Sequence, residues 1–154
     1  MHLACMLGSR FAIITIIDEL VPFVERNLML YGLESKAIAR RPVRSCEVGF
    51  DFPAMFEDSQ LIIPKFEKTA LEFIEEGAEV IVVACCGLGP ALTVAGYLKV
   101  EDTDVPVIDV ASAAIKMAEL KSDMNSCLGI STSKHLTYQS ISSEMINEMT
   151  KSFS

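Results

Sequence analysis

The sequence predicts an α/β protein, a three-layer sandwich on a mostly parallel sheet. Three observations carry that expectation. Continuous apolar, β-branched runs at 11–17 and 79–84 suit strands buried on both faces. Segments with apolar residues at helical spacing lie between such runs, the alternation that builds parallel sheets. Glycine, proline or aspartate stands at the changeovers, where helix caps and stops belong.

Met1 to Gly8 reads as the last two turns of a helix, with Gly8 as a left-handed stop. A chain that opens on a helix end is expected to lack what came before. Phe11 to Ile17 is the first strand. Asp18 can cap the helix that follows, which carries Leu20, Phe23, Val24, Leu28 and Tyr31 on one stripe and stops at Gly32. Pro22 sits in its first turns, where proline is tolerated. Residues 35–43 read as a second strand, and Arg40, Arg41 and Pro42 suit an edge. Residues 44–56 form a loop rich in phenylalanine (Phe50, Phe52, Phe56), read as local packing, with a lid or subunit contact as the other use. A long helix starts at Asp58 or Ser59 and runs to Glu76, with Leu61, Ile62, Phe66, Ala70, Phe73 and Ile74 inward. Strand 79–84 leads into Cys85, Cys86 and a glycine turn, then a helix near Pro90 to Leu98. Val105 to Val110 is another strand, and Asp109 is placed to cap the helix from 111 to 121. Residues 122–140 are polar, with a strand expected at 126–130, and a last helix covers 141–153.

Composition narrows the function. The 154 residues form one ordinary domain, and at 51% hydrophobic they supply a generous core. A net charge of −8 makes nucleic acid a poor partner, since phosphate binding needs concentrated lysine and arginine. The short cluster Arg40, Arg41 and Arg44 reads as a solvated edge. Five cysteines is an odd number and argues for reduced thiols in a cytoplasmic chain. No Cys-x-x-Cys pair occurs, and His2 and His135 stand apart, so no metal site is expected. The apolar runs fall short of a membrane span, and no leader is evident.

The candidate chemistry sits at Cys85, where an apolar strand ends. Open α/β sheets place ligands at the carboxyl ends of their strands. A thiol works as a base only as thiolate, and free backbone amides favour that form. Gly87 and Gly89 allow backbone to approach a ligand closely. The plain alternative is a buried structural cysteine, a common fate for cysteine after an apolar strand. A phosphate loop is not matched, because neither Gly-x-x-x-x-Gly-Lys-Ser/Thr nor Gly-x-Gly-x-x-Gly is present. Thr15 ends the first strand on the same edge; its hydroxyl binds either substrate or local backbone. Cys5, Cys46 and Cys127 show no neighbouring activator and read as structural.

Residues 78–88, Ala-Glu-Val-Ile-Val-Val-Ala-Cys-Cys-Gly-Leu, resemble the second-cysteine motif of the aspartate/glutamate/hydantoin racemase superfamily. Val-Pro-Val-Ile-Asp at 105–109 and the helix after it resemble the hydantoin racemase branch in particular. Gly8 to Thr15 resembles the strand that opens the family's second domain, and Thr-Ser-Lys at 132–134 with Tyr138 resembles its C-terminal segment. The resemblance implies a cofactor-independent racemase in which two cysteines flank the substrate's α-carbon, one taking the proton and the other returning one to the opposite face. It maps Cys85 to the second catalytic cysteine and Thr15, Ile16, Cys86 and Gly87 to substrate contacts. It implies a second-domain-like unit over 1–121 and a tail of strand and helix over 122–154, with the first domain and its cysteine missing. In full-length relatives that tail packs on the first domain. The implied partners are a small-molecule substrate (a hydantoin or an amino acid) and either further copies of the chain or a first-domain partner. With no evident cation to choose a second carboxylate, a hydantoin-like substrate is preferred. The alternative is a truncated, non-catalytic small-molecule-binding domain of the same family.

Overall fold

The computed structural model describes residues 1–49, 52–58, 61–136 and 138–152. Two compact units are present, Met1–Lys116 and Met117–Ser154. In the first, four parallel strands stand in the order β2-β1-β3-β4: β1 (Phe11–Thr15), β2 (Val43–Ser45), β3 (Val80–Val83) and β4 (Val107–Asp109). Ile13 aligns with Val43 on one side and Val82 on the other. The apolar runs that predicted strands are the two central ones. β1 and β3 are buried at every position, as strands covered on both faces must be.

Helices cover both faces, so the three-layer α/β expectation holds. On one side α4 (Ile63–Glu75) lays Phe66, Ala70 and Phe73 onto the sheet, and α5 (Leu88–Val94) adds Leu88, Ala91 and Leu92. The spacing of those α4 residues is one helical stripe. On the other side α1 (Ala4–Leu7) and α2 (Val21–Leu30) cover Phe11, Ile13, Val80 and Val82 through Ala4 and Leu28. α3 (Phe52–Glu57) lies between β2 and α4 in sequence, and α6 (Val110–Leu128) follows β4. In the second unit, α7 (Ser143–Ser152) leaves Met145, Ile146 and Met149 exposed.

Several boundaries differ from the sequence expectations. The edge strand is Val43–Ser45, not 35–43; residues Glu34–Lys36 form a 3-10 turn, and Ala37 makes only an isolated bridge to Phe11. Gly8 is extended, with φ −160°, because the chain passes straight into β1 instead of reversing. A side chain at Gly8 would strike Val80 and Glu79, so the glycine serves close packing. Asp18 opens a 3-10 turn, Asp18–Leu20, but makes no side-chain cap bond there; its carboxylate accepts from Ser45 Oγ at 2.5 Å. The phenylalanine-rich loop contains α3. The long helix begins at Ile63, where Pro64 fits the first turn. The helix expected at 111–121 continues to Leu128, so residues 126–128 are helical and the strand expected there is not found. The expectations placed on Phe50, Ser59 and Phe153 lie outside the described residues.

Candidate active site at the carboxyl edge of the sheet

Parallel strands bring their carboxyl ends to one edge, and Thr15, Ser45, Cys85 and Asp109 gather there. Just past β3 the backbone turns into α5. Ala84 N–H still donates to Ile14 O at 2.8 Å, so the sheet holds the chain up to the residue before the thiol. Cys85 is half-buried. Its sulfur accepts the amide N–H groups of Gly87 and Leu88, each at 3.4 Å. The N-cap residue Gly87 has no side chain to cap α5, so the Cys85 sulfur takes a cap's place for the amides that open the helix. Amide donors aimed at a sulfur stabilise negative charge on it, the arrangement a thiolate base needs.

Cys86 is exposed and Gly87 is buried. Ile16 is buried, in the same apolar layer against which Cys85 packs. Thr15 is fully buried and its Oγ1 has no hydrogen-bond partner among the described residues. Leaving a buried hydroxyl unpaired costs about 1–3 kcal/mol. The Thr15 carbonyl is engaged: it accepts from Cys46 N–H at 3.0 Å and from Cys46 Sγ at 3.4 Å.

Cys46, read from the sequence as structural, keeps that character, but its place at this edge was not foreseen. It follows β2 directly and shares the apolar layer with Ile16 and Cys85. With the edge strand expected at 35–43, its place at the sheet edge was hidden. Burial pushes its thiol up from an ordinary value near 9.0 to about 11. Hydrogen bonds from backbone amides, including that of Val48, and the charge of Lys65 oppose this, while a charge on Cys85 adds to it. Lys65, whose Nζ donates to Glu47 O at 3.3 Å, is a cation near this edge that the sequence reading did not identify. Ser45, Cys46, Glu47, Lys65 and Lys68 help line a cleft of about 300 Å³ there. A larger cavity, about 570 Å³, lies among Gly96–Asp104 at the start of β4, the wrong end of the strands for this chemistry. Cys5 packs on the opposite face of the sheet. Among the described residues no cluster of three or more His, Cys, Asp or Glu could hold a metal ion, and no helix is long and apolar enough to cross a membrane.

Comparison with known proteins gives a consistent result. Residues 1–118 match the family described as Asp/Glu/Hydantoin racemase. The chain is 34% identical over 143 residues to a hydantoin racemase of Rhizobium meliloti, covering 89% of this chain and 52% of that protein. It is 31% identical over 139 residues to the hydantoin racemase of Pseudomonas sp. (strain NS671), covering 90% and 51%. The chain thus spans about half the length of the curated relatives it matches. Among solved structures it resembles the allantoin racemase of Pseudomonas fluorescens, with TM-score 0.63 and 30% identity over 91% of this chain and 55% of that one. The allantoin racemase of Klebsiella pneumoniae gives TM-score 0.66 and 28% identity, over 92% and 53%.

Proposed function

The chain belongs to the Asp/Glu/hydantoin racemase family, and on that premise we propose that it carries one half of a cofactor-independent, two-thiol racemase site. The observation that carries the reading is the pair of amides donating to Cys85 Sγ. Cys85 as thiolate removes the proton from a carbon next to a carbonyl. The bonding electrons move onto the carbonyl oxygen as an enolate. A second thiol on the opposite face returns a proton to carbon and becomes the thiolate, so the two residues exchange roles at each turnover. Cys86 and Gly87, next to Cys85 in the chain, and Ile16, in the apolar layer against which Cys85 packs, serve as the substrate contacts. Thr15 contributes its unpartnered hydroxyl, which gains a partner when substrate binds.

The opposite thiol comes from a segment beyond these 154 residues or from a second copy. Cys46 is a poor candidate because it is buried and its sulfur is tied to Thr15 O. The substrate class is a hydantoin or a related cyclic ureide, supported by the hydantoin and allantoin racemases among the relatives.

The test is solvent-deuterium exchange at the acidic C–H of a 5-substituted hydantoin, followed by proton NMR, with aspartate and glutamate as rival substrates. The chain alone is expected to wash out the hydantoin C5 proton faster than the buffer does, and Cys85→Ala is expected to return the rate to background. Exchange equal to background at every protein concentration would return the chain to a binding domain without chemistry.

A further inference from the structure

The amides that hold Cys85 must themselves be held, and the turn does not do this alone. Gly89, in the first turn of α5, donates its N–H to Cys85 O at 3.1 Å. Its other neighbour is Asp109, the last residue of β4. A methyl group on Gly89 would lie 2.9 Å from Asp109 Cγ and closer still to Oδ1. The first turn of α5 therefore rests directly on this carboxylate, with no room for a side chain between them.

Asp109 is itself locked. It is 7% exposed, and its oxygens accept Ala111 N–H at 2.9 Å, Ser112 N–H at 3.1 Å and Ser112 Oγ at 2.5 Å. The sheet fixes its backbone through the pairing of Val83 with Asp109. Three donors from the start of α6 and one ladder thus make a rigid stop, and the thiol turn is seated against it.

We propose that Asp109 and Gly89 are positioning residues for Cys85. The Asp109 carboxylate touches no substrate. It sets how far α5 can approach the sheet, and so places the Gly87 and Leu88 amides on the sulfur. Gly89 is needed for its missing side chain, not for an unusual backbone angle. This rests on the reading of Cys85 as the reactive thiol.

The experiment is site-resolved alkylation by iodoacetamide across pH, on the full chain, with Cys127 as the internal reference. Three variants are compared: Gly89→Ala, Asp109→Ser, and both together. Gly89→Ala is expected to slow Cys85 alkylation about tenfold at neutral pH, the equivalent of one charge-assisted hydrogen bond, and to move its rate-against-pH curve upward. Serine at 109 keeps a helix-capping oxygen but shortens the side chain, so the double variant is expected to recover the rate to within about twofold. An unchanged Cys85 rate in Gly89→Ala, or no recovery in the double variant, overturns the proposal. Should Gly89→Ala fail to fold, Asp109→Ser alone decides: a drop of about threefold for Cys85 but not for Cys127 supports the stop, and no drop overturns it. A wild-type Cys85 no faster than Cys127 would instead refute the reactive-thiol reading on which this rests.

Discussion

Cys85 and Cys46 lie in one apolar layer at one edge of one sheet, yet the fold treats their sulfurs in opposite ways. Cys85 Sγ accepts two amide N–H groups. Cys46 Sγ donates to the Thr15 carbonyl, and burial holds it as a thiol up to about pH 11. The first arrangement favours negative charge on sulfur, and the second opposes it. What separates them is the backbone on either side. After β3 the chain turns at once into α5 and directs the N–H groups of Gly87 and Leu88 at the sulfur. After β2 the chain extends as irregular coil, and Cys46 spends its own N–H and its thiol on β1. Two cysteines at strand ends of one sheet thus differ in the direction of their hydrogen bonds, and on the proposed reading that direction separates a reactive thiol from a structural one.

The largest expected effect breaks the comparison at Cys85, the thiol proposed to react. Cys85→Ser is expected to lower the deuterium-exchange rate by about 10³-fold, within the range for losing a general base. Cys46→Val is expected to leave exchange within about threefold, since that residue only packs and bonds backbone. Equal losses from the two variants would mean the thiols act together.

A smaller effect sharpens the other side. The Cys46 thiol is raised in the folded state, so the folded protein keeps its proton where the unfolded chain loses it. Stability from this group is intact below about pH 9.0 and is lost as pH rises toward about 11. A shift of this size corresponds to about 3 kcal/mol. Urea unfolding between pH 8 and 11 is expected to show that decline, and Cys46→Val to flatten it. Tyr97, raised by burial and by its bond to Glu67, adds a separate decline at higher pH that the variant leaves in place.

The smallest effect concerns what anchors the Cys46 strand. Arg44, two residues earlier, reaches Glu76 Oε1 at 2.7 Å and stacks over Phe73 at 4.4 Å. The bond to Arg44 holds the Glu76 carboxyl below its ordinary value of 4.5. Its contribution is present above that pH and fades as pH falls below it. Because Glu76 is exposed and screened by solvent, Glu76→Gln is expected to change the acid limb of stability only slightly. A large change would show that the Arg44 clamp governs the edge strand.

The sequence made the two sides of this comparison unequally legible. Cys85 follows a long β-branched run and precedes glycines, so strand, turn and thiol could be placed together. The central strands and the α4 stripe of Phe66, Ala70 and Phe73 were readable for the same reason, since burial on both faces or on one stripe leaves a periodic signature. Cys46 was not readable, because β2 is three residues long and its apolar signal is a single valine. The run Ala-Ile-Ala at 37–39 drew the strand several residues too early, although Ala37 makes only an isolated bridge and Ile38 is buried coil. The length of α6 was missed because none of its residues is buried, so no apolar stripe marks it, and polar residues after Lys121 read as a break. The Asp109 cap was foreseen from its place at a strand end. Its contact with Gly89 was not, because nothing local links residues twenty positions apart.

The most direct measurement is alkylation of the native chain at pH 7, resolved by tandem mass spectrometry into separate rates for each cysteine. The fold predicts that Cys85, though half-buried, reacts about tenfold faster than exposed Cys86 and Cys127, as one charge-assisted hydrogen bond would allow, with Cys46 slowest. Rates that simply follow exposure, with Cys86 and Cys127 ahead of Cys85, would contradict the account.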